Sequence, residues 1–156
     1  MNPVLSLAPI VRTFTFTVRA QKSPEFVDIT EEVAQAVAAA GVQEGIALVF
    51  SCHTTAAIRI NENEPLLLRD MEEFLKRLAP RELYYGHNDF GIRTHNMTPD
   101  ECPNAHAHLQ HLLLGASEAV PIRGGKLALG QWQRIFLVEL DRPRERTVLV
   151  QVVGCA

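Results

Sequence analysis

The sequence predicts an α+β fold: a single domain over residues 1–156, with mixed or antiparallel β-sheet layers and about three helices. Three observations carry this. Strand-like alternation opens the chain, two amphipathic helical stretches follow it, and four short apolar runs close it with no helix between them. The order β-α-ββ-α-loop-α-ββββ segregates strands from helices, unlike the regular βαβ alternation of a doubly wound sheet.

Each element has its own justification. Phe14, Phe16 and Val18 alternate with Thr13, Thr15 and Thr17, the period-two pattern of a half-buried strand. Asp28 and Thr30 are helix-capping residues, and Val33, Ala36, Val37 and Ala40 then share one helical face. Gly41 suits the left-handed residue that ends such a helix. Ile46 to Phe50 reads as a buried central strand and Ala57 to Ile60 as another, the two forming a hairpin. Pro65 sits at a first helical turn. The stripe Leu67, Met71, Phe74, Leu75 and Leu78 marks a second helix that Pro80 ends. From Arg81 to Asn104 periodicity is lost, and loops this long in compact domains are commonly functional or disordered. A third helix spans His106 to Leu114. Strands then follow at Ala119–Ile122, Lys126–Leu129, Ile135–Leu140 and Val148–Val153, with Gly124-Gly125 turning the first pair.

Composition bounds the function classes. The chain has 156 residues, 47% hydrophobic and 21% charged, with a formal net charge of −3. It needs no disulfide or metal merely to fold. The charge gives no sign of a nucleic-acid surface; the basic run Arg142 to Arg146 is broken by Pro143 and Glu145. Cys52, Cys102 and Cys155 are odd in number and lack CxxC spacing, the pattern of free thiols in a reducing compartment. Residues 1–10 are mildly apolar but have no basic start, and no stretch approaches the roughly 18 apolar residues of a membrane span. The expected location is the cytoplasm, with neither nucleic-acid nor membrane partners. Walker, GxGxxG, HExxH and GxSxG motifs are missing, which leaves classical nucleotide binding and serine hydrolysis poorly supported.

Histidines carry the candidate chemistry. There are six, and His87, His95, His106 and His108 fall within one short stretch. In His106-Ala107-His108 the two rings face one side on an extended chain, but diverge by about 200° on a helix. A polar surface or capped helix end accounts for the pair equally well. His53 follows an apolar strand directly, among Ser51, Thr54 and Thr55, whose hydroxyls can bind an anion or orient an imidazole. Alternatively it is hydrogen-bonded within a polar turn. Asn61 and Glu62 end the next strand, and the hairpin reading aims them at the mouth that holds His53; a helix-capping turn is the other reading. Asp70 lies near the apolar stripe of the second helix and needs a partner if buried. Trp132 is either a core or interface residue or a pocket wall for a planar ligand. Arg144 and Arg146 can grip phosphate as bidentate forks or remain solvated.

Seven motifs in order complete the reading: Ser51-Cys52-His53-Thr54-Thr55-Ala56, Asn61-Glu62-Asn63, Asp70-Met71-Glu72, Tyr85-Gly86-His87-Asn88-Asp89, Pro103-Asn104-Ala105-His106-Ala107-His108, Leu114-Gly115-Ala116-Ser117 and Gly130-Gln131-Trp132-Gln133. The chain resembles the YjbQ-like family over about Phe14 to Gly154. The resemblance implies a small mixed α/β protein assembling as a homotrimer, with active sites near subunit boundaries that gather His53, His87 and His108. It also implies a weak, secondary thiamine-phosphate synthase activity, which joins a pyrimidine diphosphate to a thiazole phosphate and releases pyrophosphate. The chain departs from the pattern at Gln131, where threonine is usual, and at Ala105, where glycine is common.

Three imidazoles meeting at one point suit a divalent metal, zinc above all, with a fourth position left for water or substrate. Asp89 or Glu62 would then orient the rings. The candidate set is therefore His53, His108, Glu62 and Asp70 for catalysis, Thr54, Asn61, Trp132 and Arg144 for substrate, and His53, His87 and His108 for metal. The expected function is a metal-dependent enzyme acting on a small phosphorylated metabolite. The alternatives are a trimeric protein that binds a metal or anion without chemistry, and histidines that serve only a subunit interface.

Overall fold

The computed structural model describes residues 8–156. The apolar N-terminal stretch read from the sequence lies mostly outside the described residues. The chain runs β1 (Ile10–Arg19), β2 (Glu25–Asp28), α1 (Thr30–Ala40), β3 (Glu44–Ser51), β4 (Ala56–Glu62), α2 (Pro65–Leu78), a single 3-10 turn (Gly86–Asn88), α3 (Ala105–Leu114), β5 (Ser117–Arg123), β6 (Lys126–Leu127), β7 (Gln133–Glu139) and β8 (Glu145–Cys155). This is the expected α+β single domain, with three α-helices and only antiparallel strand pairings among the described residues.

The strands form two sheets, one in the order β1-β8-β3-β5-β6 and the other β2-β7-β4. β3 and β4 therefore do not make the expected hairpin. β3 pairs with β5 and β8, while β4 crosses to the second sheet and pairs with β7. A turn can connect two sheets as readily as two neighbours in one sheet, and the residue pattern of the strands does not distinguish these cases. β2 was not expected; four residues that pair only with β7 are too few to show a period.

The alternation in β1 does hold, with Phe14, Phe16 and Val18 turned inward and the threonines outward. They pack on a core built from Val33 and Val37 of α1, Ala47 and Val49 of β3, Ile58 of β4, Ile135 and Leu137 of β7, and Val148, Val150 and Val152 of β8. The reverse face of the smaller sheet carries a second cluster: Ala57, Phe136 and Val138 meet Leu75 of α2 and Ala107 of α3. The layers are thus sheet, core, sheet, helix pair.

Local signals behave as their chemistry requires. Asp28 Oδ1 accepts from the Thr30 N–H at 3.0 Å and from its hydroxyl at 2.7 Å, but neither residue is the expected cap: Ile29 holds the N-cap of α1 and no side chain caps it. Gly41 ends α1 in the left-handed region at φ 72°. Glu64 caps α2 by accepting from Leu66 N and Leu67 N, with Pro65 in the first turn. Gly124 and Gly125, at φ 56° and 75°, make the two-residue turn between β5 and β6. The stripe on α2 is buried less than expected: Phe74 and Leu78 are exposed, and Glu72 is buried instead, paired with Lys22 at 2.6 Å.

Candidate histidine and arginine site

The turn Cys52–Thr55 leaves the larger sheet at the end of β3 and is fastened at several points. Ser51 Oγ donates to Ala56 O at 2.6 Å, Cys52 N to Thr147 O at 3.2 Å, and Thr147 N to His53 Nε2 at 2.7 Å. The His53 ring is thereby fixed, with its Nε2 occupied as an acceptor and its Nδ1 left over. Beneath it lies a buried ion pair. Arg146 donates to Glu139 at 2.7 and 2.5 Å and to Thr55 Oγ1 at 3.0 Å, while Glu139 accepts from Leu140 N and Asp141 N. With both partners nearly inaccessible, the forked geometry and the surrounding donors offset the cost of desolvating the charges.

The opposite wall comes from the long segment before α3, whose order rests on one residue. Arg93 donates to the carbonyls of His87, His95 and Asn96 at 3.3, 3.3 and 2.8 Å, and meets Glu101 at 3.4 Å. Asn88 Oδ1 accepts from Ala105 N at 3.0 Å, which ties the 3-10 turn to the start of α3. Ala105 is accordingly helical, and needs no glycine. This tie sets His87 beside His108: their rings meet edge to face, with centroids 4.7 Å apart.

His53, His87 and His108 line one open cleft of about 890 Å³, together with Thr54, Arg144 and Arg93. Its lining holds three arginines and a single carboxylate, Glu101. Burial pushes the His53 imidazole below its ordinary value, and the Arg146 and Arg144 charges push it further. Burial does the same to His108, with His87 as the next cause. A neutral His108 is available as a ligand or base, His53 offers its Nδ1–H, and the exposed guanidinium of Arg144 can attract an anion.

His87 Nε2 is buried and has no hydrogen-bond partner among the described residues, so it is free to coordinate. The donor chemistry thus suits a zinc-type ion, and two of the three expected ligands touch. The third, His53, sits on the same cleft, held by Thr147. Among the described residues no three His, Cys, Asp or Glu side chains are gathered closely enough to hold an ion.

The other expected residues lie elsewhere. Because β4 crosses to the second sheet, Glu62 at its far end is about 20 Å along the strand from its start, beyond the mouth that holds His53. Glu62 instead meets Trp132, Asp28 and Arg134 around a separate cleft of about 260 Å³. Trp132 is 65% exposed, neither core nor a wall of the histidine cleft. Asn61 is exposed beside an apolar cleft with Met71 and Phe74. Asp70 is exposed on α2, so it needs no buried partner. Asp89 accepts from Tyr84 and Gly91 rather than from a histidine ring. His106 faces away from His108, as helical spacing requires, and is buried.

The sequence argument missed Arg93 and His111. Nothing in the spacing singles out Arg93, whose partners are backbone carbonyls of its own loop. His111 was legible in principle: it lies three residues after His108 on α3, hence on the same face, and its ring neighbours the His53 backbone.

The family model described as UPF0047 protein YjbQ-like matches residues 14–155. A UPF0047 protein of Methanothermobacter thermautotrophicus is 41% identical over 92% of this chain and 93% of its own length. The Bacillus subtilis UPF0047 protein YugU is 34% identical over 90% and 98%. The crystal structure of a YbjQ-like protein of unknown function from Sulfolobus solfataricus superposes with a TM-score of 0.84 at 40% identity, covering 94% of this chain and 99% of that one. A hypothetical protein from Aeropyrum pernix does so at 0.81 and 38%, covering 92% and 98%. With a matching model over nearly the whole chain and full-length relatives at these identities, the chain belongs to the UPF0047, YjbQ-like family.

Proposed function

We propose that the histidine and arginine cleft binds a small phosphorylated metabolite, and that the protein acts on it as a metal-dependent enzyme. The observation that carries the reading is the set of three guanidinium groups on the cleft lining. Arg93, Arg144 and Arg146 are each paired with a carboxylate, Glu101, Asp141 and Glu139 respectively. Arg144 is the one most available to a ligand, since its pair with Asp141 is the longest of the three at 3.6 Å and its side chain is 44% exposed.

A zinc-type ion would be held by His87 and His108, with His53 joining as a third ligand only on moving closer and giving up its bond from Thr147, and when bound would supply polarisation of a phosphoryl oxygen. The chain's own residues do the rest. Arg144 orients the phosphate through its planar fork, the Thr54 hydroxyl donates to it, and His53, whose Nε2 accepts from Thr147 N–H, presents Nδ1–H to it as a further donor. The family resemblance supports a weak thiamine-phosphate synthase activity as the first reaction to assay.

A second reading, binding without chemistry, is favoured by one feature. The lining has no pair of carboxylates of the kind that holds magnesium-pyrophosphate. Assembly as a homotrimer belongs to both readings. It is supported by the exposed Tyr84 and Leu109, which flank His87 and His108 on the outer side of the ring pair.

Metal-stripped protein is titrated calorimetrically with pyrophosphate before and after zinc, manganese or magnesium is restored. It is then assayed for thiamine-phosphate formation, with its solution mass measured. Binding that Arg144→Met weakens, and turnover that metal restores, support the enzyme. Tight binding without product selects the second reading. Absence of pyrophosphate binding in every metal state defeats both.

A further inference from the structure

On the face of α3 opposite His108 lies a smaller cavity of about 160 Å³, closed by the end of α2, the Ser23-Pro24 segment and Leu140. His106 and Gln110, four residues apart on one helical face, point into it and are 4% and 2% exposed. Four of its buried polar atoms lack a close hydrogen-bond partner, both ring nitrogens of His106, Gln110 Oε1 and Ser23 Oγ, although one of the two nitrogens faces the Leu140 carbonyl as a donor. Each such atom loses its hydration on burial and is destabilising if nothing meets it. Gln110 cannot turn to relieve its oxygen, because Nε2 donates to Leu75 O at 2.8 Å and Ala79 O at 3.5 Å.

The pattern of demand is specific. Gln110 Oε1 accepts only, a neutral imidazole donates once and accepts once, and the serine hydroxyl does both. Of the charges at the rim, Lys76 meets Glu73 at 2.7 Å, Arg81 donates to Asp141 O at 2.7 Å, and Glu82 is exposed to solvent. With the His106 N–H directed to the Leu140 carbonyl, the unmet need of the buried atoms is neutral: two N–H donors for Gln110 Oε1 and the other His106 nitrogen, beside one acceptor for the Ser23 hydroxyl. At about 30 Å³ per water the space corresponds to roughly five waters, or a group of four or five non-hydrogen atoms.

We propose that this cavity is a second binding site, which takes the primary carboxamide or urea group of a small neutral ligand. The –NH2 donates to Gln110 Oε1 and to the accepting nitrogen of His106. The carbonyl accepts from Ser23 Oγ.

The test uses the full chain and acetamide as the probe, with backbone amides followed by NMR. Acetamide should shift Ala107, Gln110 and Leu140 saturably, while acetate and N,N-dimethylacetamide, which lack N–H donors, should not. Ser23→Ala, a small change in an irregular segment, should weaken acetamide about five- to tenfold. His106→Phe, which fills the space, should abolish binding. Should His106→Phe fail to fold, Ser23→Ala decides by itself. The proposal is overturned by the lack of a saturable shift, by equal shifts from dimethylacetamide, or by unchanged affinity in Ser23→Ala; the cavity then holds ordered water only. These shifts are read at α3 and Leu140, so they stand apart from any outcome for pyrophosphate in the histidine cleft.

Discussion

His87 and His108 arrive from opposite ends of a loop that sequence patterning leaves shapeless, yet their rings meet edge to face at 4.7 Å. The contact is secured by Asn88, whose side chain caps the first turn of α3, and by Arg93, which holds the His87 carbonyl.

Rings in contact should not behave independently. His87→Ala and His108→Ala are each expected to lower zinc affinity at least tenfold, since each removes a ligand. The double variant should fall short of the sum, with a coupling on the order of 0.5–3 kcal/mol. Zinc titration with a competing chelator measures this, and strict additivity would mean that the two rings do not share an ion.

Arg144 is 44% exposed at the side chain and makes only a long ion pair, to Asp141 at 3.6 Å. Arg144→Met should weaken pyrophosphate by about ten- to a hundredfold, the worth of a charge-assisted hydrogen bond, while leaving the melting temperature unchanged. Calorimetry and thermal melts read the two effects separately.

Arg146 and Glu139 should show the opposite division. Removing one partner leaves a buried charge unpaired, so Arg146→Met or Glu139→Gln is expected to destabilise by about 3–5 kcal/mol in denaturant melts. Substituting both with apolar residues should be milder than either change alone.

Acidification should destabilise the fold. Burial is the leading cause that lowers the pKa of His53, His106, His108 and His111 below the ordinary 6.5. The unfolded chain therefore binds more protons than the folded one below that value, and stability declines as pH falls from about 6.5 toward the lowered folded values. Thermal melts between pH 7.5 and 5.5, both about one unit from the midpoint, should show a falling melting temperature; a flat profile would contradict the burial of these rings.

Gly45 and Gly154 face each other across β3 and β8. A Cβ on Gly45 would overlap the Val153 carbonyl, and one on Gly154 the Glu44 carbonyl. Gly45→Ala should destabilise by about 1–3 kcal/mol, because backbone rather than a flexible side chain must give way. Loss of the β3 and β8 amides from the slow-exchanging set would locate the damage.

How far the site was legible depends on the range of the interaction concerned. Arg146 could have been assigned more firmly. In β8 the inward residues run Arg146, Val148, Val150 and Val152, so period two already places its guanidinium inside, where a carboxylate must meet it. Its partner Glu139 carries no such signal, because β7 is buried on both faces from Ile135 onward. Glu62 and Asn61 were misplaced because an apolar run followed by a polar turn does not state which sheet receives the next strand. Trp132 followed the same error: its loop lies with Glu62, at the far end of β4 from His53.

By itself the sequence determined the strand and helix periods, the glycine end of α1 at Gly41, the proline start of α2, the glycine turn before β6, and the motif order that marks the family. These depend on residues within one or two turns of each other, where sterics and local hydrogen bonds decide. Only the tertiary structure decided that β3 and β4 belong to different sheets, that His87 touches His108, and that His106 turns to a cavity of its own. Those outcomes depend on packing between segments distant in the chain, and residue spacing along one strand or helix carries no record of what comes to lie across from it.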